Sequence, residues 1–294
     1  MIFTIAIPTY NNENTIHRAI ESALNQDYSD DYEVLIVNNA STDKTLDVIK
    51  RYQDEKIRII NNLKTVTLFE NHNVCFANAK GKYVLFCHSD DELFSNALQI
   101  LNEQIEKRHY PSKYIVWGHS IFRDFYPSLV NANQHINEVF SGEQALRTFM
   151  RGGLTPSGTC YSKDAIEALG GFPHFKYPIA PGDWYLMLFA AFNHFEFEMI
   201  DRMIFKREYA STAVRTITQK QWLQNNKEAF EKLFEKLSEQ QRCILVPILM
   251  RYASVEIFPC YTEQLSYSTK IKYWIKQFIK HPSSIKILFR TIYS

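Results

Sequence analysis

Residues 1–100 alternate between short apolar runs and amphipathic segments. Four of the runs have the length and composition of buried strands: "FTIAIPT", "YEVLIVNN", "KIRIIN" and "KYVLFC". The segments between them repeat apolar residues at helical spacing: "NENTIHRAIESALNQ", "STDKTLDVIKRYQ" and "TLFENHNVCFANAK". We expect Asn14 to cap the first of these helices. Strands that alternate with helices predict an α/β fold built on a parallel sheet.

The pattern is less regular from about residue 111. We expect a strand in "YIVWGHSIF", a helix in "SGEQALRTFMRGG" with Ser141 as its cap, and a turn, a strand and a short helix in "TPSGTCYSKDAIEALGGFP". Gly170 and Gly171 would end that short helix. An apolar helix is expected from Asp183, and only helices are expected after residue 216.

Three polar clusters, "PTYNNE", "NNASTD" and "HSDDE", follow the predicted strands directly. Ligands of open parallel sheets bind beyond the carboxyl ends of the strands, so we expect the clusters to meet in one crevice. The third cluster contains adjacent carboxylates, Asp90 and Asp91, which repel each other and are costly to bury. A divalent cation with hard oxygen ligands, Mg²⁺ or Mn²⁺, would resolve this conflict. The alternative is a solvated turn in which one aspartate caps the next helix.

Composition narrows the class of protein. The 294 residues carry a net charge of +1, which gives no indication of nucleic-acid binding, and 46% of them are hydrophobic. No apolar run reaches the roughly 18 residues of a membrane span, and the N-terminus lacks the basic start of a signal peptide. The five cysteines, without a CxxC, predict free thiols in a reducing cytosol and no zinc site: Cys75, Cys87, Cys160, Cys243 and Cys260.

Three segments, "IAIPTYNNENTIHRAIESALNQ", "EVLIVNNASTDKTLDVI" and "AKGKYVLFCHSDDEL", together resemble the N-terminal half of the family 2 glycosyltransferases. The resemblance continues more weakly to about residue 210 through "GGFP", "GDWYL" and "FKREYAS". It implies a GT-A fold, a Rossmann-like and mostly parallel sheet flanked by helices, over residues 1–215. Residues 1–110 would then be the nucleotide-binding half and 111–215 the acceptor half, and 216–294 would be a helical C-terminal region.

The resemblance assigns nucleotide contacts to the first two clusters. Pro8, Thr9 and Tyr10 match the loop that packs on the base in the family. Glu13 matches an acid near the nucleotide. Asn39 matches the position that pairs with uracil, often as Asp, and an amide oxygen can still accept the uracil N3–H.

Further nucleotide contacts are implied at Asn71 and Asn73, near the base and ribose, with surface amides of a helix as the alternative. Arg207 matches a basic position near the donor phosphates. Asp43 matches the acid of the "STD" turn, where capping of its own helix is favoured over ligand contact.

The resemblance places "HSDD" where the family has its DxD motif. Asp91 is the expected metal ligand, and Asp90 is expected to contact ribose or the metal site. His88 replaces the frequent first Asp, as a further ligand or as a hydrogen-bonded strand-end histidine. Tyr209 stands where many relatives have a His that completes the metal site.

Asp183 matches the general base of the family's "ED" motif, with Gly182 in place of the Glu. A carboxylate within hydrogen-bond reach would remove the proton of the acceptor hydroxyl as that hydroxyl attacks. The start of a helix would favour its ionised form, and capping of that helix is compatible with this role. Trp184 would stack on a sugar or lie in the core.

Residues 267–294 carry six positive charges and no acidic residue. On a helix their apolar side chains share one face, beside a stripe of Lys272, Lys276 and Lys280. This pattern is typical of a helix on an anionic membrane, and it would suit a lipid-linked acceptor. The alternative is a helix docked on the catalytic domain or on a partner in a homodimer. We therefore expect a cytoplasmic protein, with a peripheral position on the inner face of the cell membrane as one alternative.

The leading hypothesis is an inverting glycosyltransferase that uses a nucleotide sugar, a UDP-sugar first, with Mn²⁺ or Mg²⁺. Its acceptor would be a glycan or a lipid-linked sugar in bacterial surface polysaccharide synthesis. Another nucleotide-dependent transferase or a dehydrogenase is disfavoured, because no GxGxxG follows the first strand and no GxxxxGK[ST] occurs. A non-catalytic nucleotide-binding scaffold of the same fold is the remaining alternative.

Overall fold

In a computed structural model of the protein, residues 1–121, 135–150, 153–176, 181–207 and 218–253 are described. Their strands are β1 (Phe3–Thr9), β2 (Tyr32–Asn38), β3 (Ile57–Asn61), β4 (Tyr83–Phe86), β5 (Asp91–Leu93), β6 (Tyr114–Ile121), β7 (Val139–Phe140), β8 (Thr159–Ser162) and β9 (Glu196–Arg207). Their helices are α1 (Ile16–Leu24), α2 (Thr45–Ile49), α3 (Leu68–Asn78), α4 (Ala97–Lys107), α5 (Gly142–Phe149), α6 (Lys163–Ala168), α7 (Gly182–Phe192), α8 (Gln219–Lys236) and α9 (Glu239–Ala253).

The described strands form one sheet in the order β3-β2-β1-β4-β8-β6-β9-β5, with β7 also paired to β9. The first four strands are parallel, as the sequence predicts. The second part of the sheet is mixed, since β8 runs antiparallel to both β4 and β6, whereas β6 and β9 are parallel. The carboxyl ends of β1, β2 and β4 therefore meet at one edge, where the predicted polar clusters lie.

Three of the parallel strands, β1, β2 and β4, are buried on both faces, which is why they are continuous apolar runs, whereas β3 at the edge of the sheet is partly exposed. On β1, Ile5 and Ile7 point to the face covered by α1 and α4. Ala6, between them, points to the opposite face, where α3, α5, α7 and α8 pack around a cluster rich in aromatic rings. The core thus forms two layers, one on each side of the sheet.

Two predicted caps differ from the structure. The N-cap of α1 is Thr15 and not Asn14, because the N–H groups of Thr15 and Ile16 both donate to Asn12 O and close a turn before the helix starts. Neither adjacent aspartate caps the next helix, since the N-cap of α4 is Asn96. The capping alternative for the acidic pair is therefore wrong.

Beyond residue 216, the described part of the chain is helical, as predicted. A capping box between Thr218 and Gln221 begins α8, which buries Ala229 and Leu233 in the aromatic-rich layer. The tail 267–294, Tyr209 and Cys260 lie outside the described residues, and the predicted domain boundaries stay a prediction. Four thiols are free, as expected: Cys75, Cys87, Cys160 and Cys243. Within the described ranges, no helix has both the length and the apolar character that crossing a bilayer requires.

Candidate functional site

Asp90 lies at the end of the loop between β4 and β5, Asp91 is the first residue of β5, and two hydrogen bonds hold that loop. The Ser89 hydroxyl donates to Asn12 Oδ1 at 2.7 Å, and the His88 N–H donates to the Ser157 hydroxyl at 3.1 Å. A turn from His88 O to the Asp91 N–H, at 3.0 Å, then leads into β5. The loop is therefore fixed against the ends of neighbouring strands.

Asp91 is a buried carboxylate without a hydrogen bond. It is 1% exposed, and neither of its side-chain oxygens has a hydrogen-bond partner among the described residues. Nε of Arg207, opposite on β9, lies 4.0 Å from Asp91 Oδ1. Burial, followed by the negative charge of Asp90, raises the pKa of Asp91 to about 7, and the charge of Arg207 and the nearby Ser157 hydroxyl only partly offset this. Such an uncompensated carboxylate is costly, and a bound cation would remove the cost.

Three side chains at this loop are arranged as metal ligands. One potential ligand atom each from His88, Asp90 and Asp91 lies within 4.8 Å of the other two. Burial raises the pKa of Asp90 as well, and the charge of Arg207 opposes that effect. Two carboxylates and an imidazole suit a divalent cation such as Mn²⁺. The orphaned oxygens of Asp91 thus fit the metal that the sequence predicts.

Arg207 connects the acidic pair to Asp183. Its positive charge lowers the pKa values of Asp90, Asp91 and Asp183, against the larger effect of burial at each. Since Coulomb energy falls with distance, all three carboxylates lie within the electrostatic reach of this guanidinium.

Asp183 lies in the first turn of α7, one residue after the helix begins at Gly182. Its Oδ1 accepts a hydrogen bond from the Trp184 N–H at 2.9 Å. The backbone N–H groups at the helix start favour the ionised form, as expected, but burial outweighs them and raises the pKa of Asp183 to about 6. A carboxylate of this pKa is ionised at neutral pH and is a stronger base than an exposed one.

The structure explains why glycine stands at position 182. A Cβ there would lie 2.5 Å from Phe69 Cδ2, and the Phe69 ring stacks against Phe172 with a centroid distance of 4.6 Å. Gly153 is also required, since its Cβ would lie 2.5 Å from the Trp184 backbone nitrogen. The start of α7, with Trp184 half-buried against the core, is therefore packed too closely for the family's Glu at position 182.

The first loop presents one aromatic side chain to solvent. Pro8 and Thr9 are buried at the end of β1, whereas Tyr10 is 45% exposed. The Tyr10 N–H donates to Asn12 Oδ1 at 3.4 Å, so the same amide that holds Ser89 also holds this loop. The Tyr10 ring is the part of the predicted base-binding loop that a ligand can reach.

Glu13 and Asp43 tie the first two loops together. The Glu13 N–H donates to Asp43 Oδ2 at 3.1 Å, and the Lys44 N–H donates to Glu13 Oε2 at 2.9 Å. Asp43 Oδ1 also accepts from the Thr45 N–H at 2.9 Å, at the first residue of α2. Asp43 thus bonds the first N–H of α2 from one residue before the N-cap, which is Lys44, and the nucleotide contact of Glu13 stays a prediction.

Asn39 and Asn71 are part of the framework. The Asn39 amide bonds both the N–H and the carbonyl of Val66, each at 2.9 Å. Asn62 donates to Asn39 at 3.0 Å and to Asn71 at 2.8 Å, and Asn71 donates to Val37 O. The oxygen that we expected to meet uracil thus already accepts two hydrogen bonds, and base pairing by Asn39 stays a prediction.

Asn73 fixes the "GGF" turn. Its amide donates to Phe172 O and accepts from the Phe172 N–H, both at 2.8 Å. Gly171 has a positive φ of 66°, and a Cβ there would lie 2.3 Å from Asn73 Oδ1. This amide is therefore neither a surface group nor one directed at the crevice, and its nucleotide contact stays a prediction.

Three residues at the site were not predicted from the sequence. His72 on α3 lies 3.0 Å from His88, measured between their Nε2 atoms, and burial lowers its pKa to about 4. The Ser157 hydroxyl anchors His88, as described above. The Tyr161 hydroxyl is buried without a hydrogen-bond partner in the described part of the chain, and after burial the charge of Asp183 is the main factor that raises its pKa.

Residues 4–168 match the model of glycosyl transferase family 2, which is more than half of the chain. The chain therefore belongs to this family, and the predicted resemblance is confirmed. The match ends before Asp183 and Arg207, so the roles of those two residues still depend on the geometry above.

Two curated relatives match the N-terminal part of the chain. Poly(ribitol-phosphate) beta-N-acetylglucosaminyltransferase TarS of Staphylococcus aureus is 32% identical over 117 residues, which are 37% of this chain and 20% of TarS. UDP-Glc:alpha-D-GlcNAc-diphosphoundecaprenol beta-1,3-glucosyltransferase WfaP of Escherichia coli is 37% identical over 90 residues, 31% of this chain and 36% of WfaP. The matched part is thus a fifth to about a third of each relative.

Solved structures share the fold over nearly the whole chain. Residues 1–349 of S. aureus TarS in complex with UDP-GlcNAc superpose with a TM-score of 0.70 at 19% identity, covering 99% of this chain and 81% of that one. Mannosyltransferase PcManGT from Pyrobaculum calidifontis, in complex with GDP-Man and Mn²⁺, gives 0.58 at 16% identity, with 99% and 85% covered. The predicted GT-A fold is thereby confirmed.

Proposed function

We propose that the protein is an inverting glycosyltransferase that moves a sugar from a UDP-sugar to a glycan or lipid-linked acceptor in surface polysaccharide synthesis. The observation that carries this proposal is Asp91 in a family 2 chain, a buried carboxylate beside Asp90 that accepts no hydrogen bond and whose charge Arg207, 4.0 Å away, offsets only in part. A structural carboxylate is usually exposed, or closely paired with its oxygens hydrogen-bonded.

Asp91 and Asp90 would hold the divalent cation, Mn²⁺ or Mg²⁺. When bound, that cation would offset the negative charge that builds on the departing diphosphate. Arg207, which already acts on both carboxylates, would bring a second positive charge to the donor phosphates. Tyr10, exposed at the end of β1, would stack on the base.

Asp183 would remove the proton from the attacking hydroxyl of the acceptor. Its pKa of about 6 makes it ionised at neutral pH yet more basic than an ordinary aspartate. In an inverting reaction the base lies on the side opposite the leaving diphosphate, so the acceptor would enter along α7. Trp184, half-buried at the same helix start, would border that entrance.

The relatives suggest which donor and acceptor to test first. UDP-GlcNAc occupies the solved TarS structure, and TarS and WfaP are named for a poly(ribitol-phosphate) and a diphosphoundecaprenol-linked acceptor. Both named acceptors contain phosphate groups, which agrees with the basic composition of residues 267–294.

The test is a screen of UDP-sugars for UDP release with Mn²⁺ or Mg²⁺, followed by NMR of the glycosylated product. We expect release that requires a cation, rises when acceptor is added, and gives the anomer opposite to that of the donor. Binding of UDP without release from any UDP-sugar, with both cations and with acceptor present, would instead support the non-catalytic scaffold. Retention at the anomeric carbon would contradict the role given to Asp183.

A further inference from the structure

A pair of histidines links the core to the acidic loop. Nε2 of His72, on α3, lies 3.0 Å from Nε2 of His88, on the loop after β4. The two rings meet edge to face, with a centroid distance of 5.1 Å. His72 is fully buried, and its ring lies among aromatic rings that exclude water: Phe69, Phe86 and Phe172.

The partners of His72 determine where its proton sits. Its Nδ1 lies 2.8 Å from Leu68 O, and a carbonyl oxygen can only accept, so Nδ1 carries the hydrogen. A buried imidazole in an aromatic cage is neutral, which leaves a lone pair on His72 Nε2. That lone pair must receive the hydrogen on Nε2 of His88. The remaining nitrogen of His88, Nδ1, then carries the free lone pair.

This is the nitrogen that a cation at the acidic pair could use. One ring nitrogen of His88 lies within 4.8 Å of carboxylate oxygens of both Asp90 and Asp91. Ligating histidines commonly donate their other N–H to a fixed acceptor, which sets the tautomer and the ring orientation. That acceptor is usually a carboxylate or a carbonyl, and here a neutral histidine occupies the same place.

We propose that His88 binds the divalent cation through Nδ1, and that His72 is the positioning residue that keeps His88 in the required tautomer. This rests on the metal part of the proposed function and not on the transfer reaction. It also explains how the chain tolerates the loss of the first acid of the motif, because a neutral nitrogen donor takes its place. A nitrogen ligand favours Mn²⁺ or Co²⁺ over Mg²⁺, which prefers oxygen.

The first experiment uses Mn²⁺ alone, without nucleotide, so that only protein nitrogen can bind it. Pulsed EPR of the bound ion should show coupling to one ¹⁴N, and that coupling should disappear in His88→Ala but persist in His17→Ala, a histidine on α1 remote from this pair. Absence of ¹⁴N coupling in the unaltered protein would overturn the proposal. So would coupling that persists in His88→Ala.

The second experiment separates positioning from packing at His72. His72→Phe keeps an aromatic ring but removes the acceptor, whereas the side-chain oxygen of His72→Gln can accept from His88 Nε2. We expect Mn²⁺ affinity to fall about 10- to 100-fold in the Phe variant and to stay near normal in the Gln variant. Equal affinities in the two folded variants would contradict the role of His72.

The third experiment needs no change at the buried position. Long-range ¹H–¹⁵N NMR of the unaltered, metal-free protein should find His88 protonated on Nε2 and His72 on Nδ1. His88→Asp should shift the preference between Mn²⁺ and Mg²⁺ toward Mg²⁺ by about tenfold, since it replaces nitrogen by oxygen. An Nδ1–H on His88, or an unchanged preference, would reject the proposal even if His72→Phe does not fold.

The test of the His88 ligand and the test of the proposed function can fail independently of each other. UDP release with a cation that shows no nitrogen coupling would refute the role of His88 and leave the transferase standing. Nitrogen-coupled Mn²⁺ in a protein that releases no UDP would support the metal site and remove the transferase.

Discussion

Asp91→Asn should make the metal-free protein more stable at neutral and alkaline pH, although it removes the main ligand that we assign to the cation. The buried carboxylate accepts no hydrogen bond in the described structure, and its neighbour Asp90 repels it. Removing its charge therefore relieves a cost of the folded state. A carboxylate that stabilised the fold would behave in the opposite way.

The pKa of Asp91 gives the size and the sign of its effect on folding stability. It is about 7 in the folded protein against an ordinary value of 3.8, so the folded state binds the proton more tightly than the unfolded chain. Stability is therefore lost as the pH rises from about 4 to about 7, in total by about 4 kcal/mol at 1.36 kcal/mol per pKa unit. Between pH 5 and pH 8 the loss is about 3 kcal/mol, since only the range below the folded pKa contributes.

The assay is urea unfolding with a chelator at pH 5 and pH 8, for the unaltered protein and for Asp91→Asn. The buried amide of Asn has a cost of its own, about 1–3 kcal/mol, but this cost is the same at both pH values. The effect of the variant on the free energy of unfolding is therefore compared between pH 5 and pH 8. The difference between the two values is the contribution of the carboxylate charge. Asp31→Asn, at an exposed position, is the matched control and should change stability by less than about 0.5 kcal/mol.

Adding Mn²⁺ and UDP should reverse the ranking. At about 100 times the dissociation constant, the ligands stabilise the unaltered protein by about 2.7 kcal/mol, and they should do little for a variant that lacks the ligand. The reasoning is refuted if Asp91→Asn has the same effect on stability at pH 5 and pH 8. It is also refuted if the variant gains as much from Mn²⁺ and UDP as the unaltered protein does.

Three further changes test other parts of the site. Asp183→Asn should leave donor affinity intact and reduce turnover about 10²–10⁴-fold; in the unaltered protein, kcat/KM should rise with pH through about 6, where the base ionises. Gly182→Ala should cost about 1–3 kcal/mol in urea unfolding, because its Cβ would overlap the Phe69 ring, and Phe69→Leu in the same chain should recover part of it. Binding to anionic vesicles in co-sedimentation should fall by more than about 100-fold, at about 1 kcal/mol for each lysine lost, when three lysines become Glu: Lys272, Lys276 and Lys280.

For each of these three changes, a stated result would contradict the expectation. Near-normal turnover of Asp183→Asn would move the base to another group. Additive effects of the changes at 182 and 69 would mean that the two side chains do not meet. The charge control reverses three exposed lysines of the catalytic part and should leave vesicle binding unchanged: Lys50, Lys64 and Lys107. An equal loss in both lysine variants would show that net charge, and not the tail, drives binding.

The strands of the first half could be predicted because their signal is local. Residues 3–9 are an apolar run bounded by a polar cluster, and β1 has those bounds. The second half was harder, since β5 and β7 have three and two residues and are defined by their pairing with β9. β9 itself is exposed at Glu196, buried over 197–200, exposed at 201–203 and buried again at 204–205, so no single period describes it.

The chemistry of the acidic pair could be predicted from its position at a strand end, but its surroundings could not. His72 and His88 are 16 residues apart, and Ser157 and His88 are 69 apart, so only the fold brings them together. The same holds for Asn39, whose amide bonds to Val66 through a loop that has no recognisable pattern. Asp183 was assigned through a resemblance, and its raised pKa comes from burial, which one sequence does not reveal.

Two of the departures from the family motifs, His88 and Gly182, argue against a site that has merely lost its function. At position 88 an imidazole stands where the family has a carboxylate, and its Nε2 lies against Nε2 of His72. At position 182 the ring of Phe69 occupies the space that the family's Glu side chain would need. Each departure is thus matched by a second side chain of this protein. A scaffold protein would also gain stability by replacing Asp91 with any neutral residue, yet the chain keeps this carboxylate buried and without a hydrogen bond. A cation bound by Asp91 would remove this contradiction, as the proposed function requires.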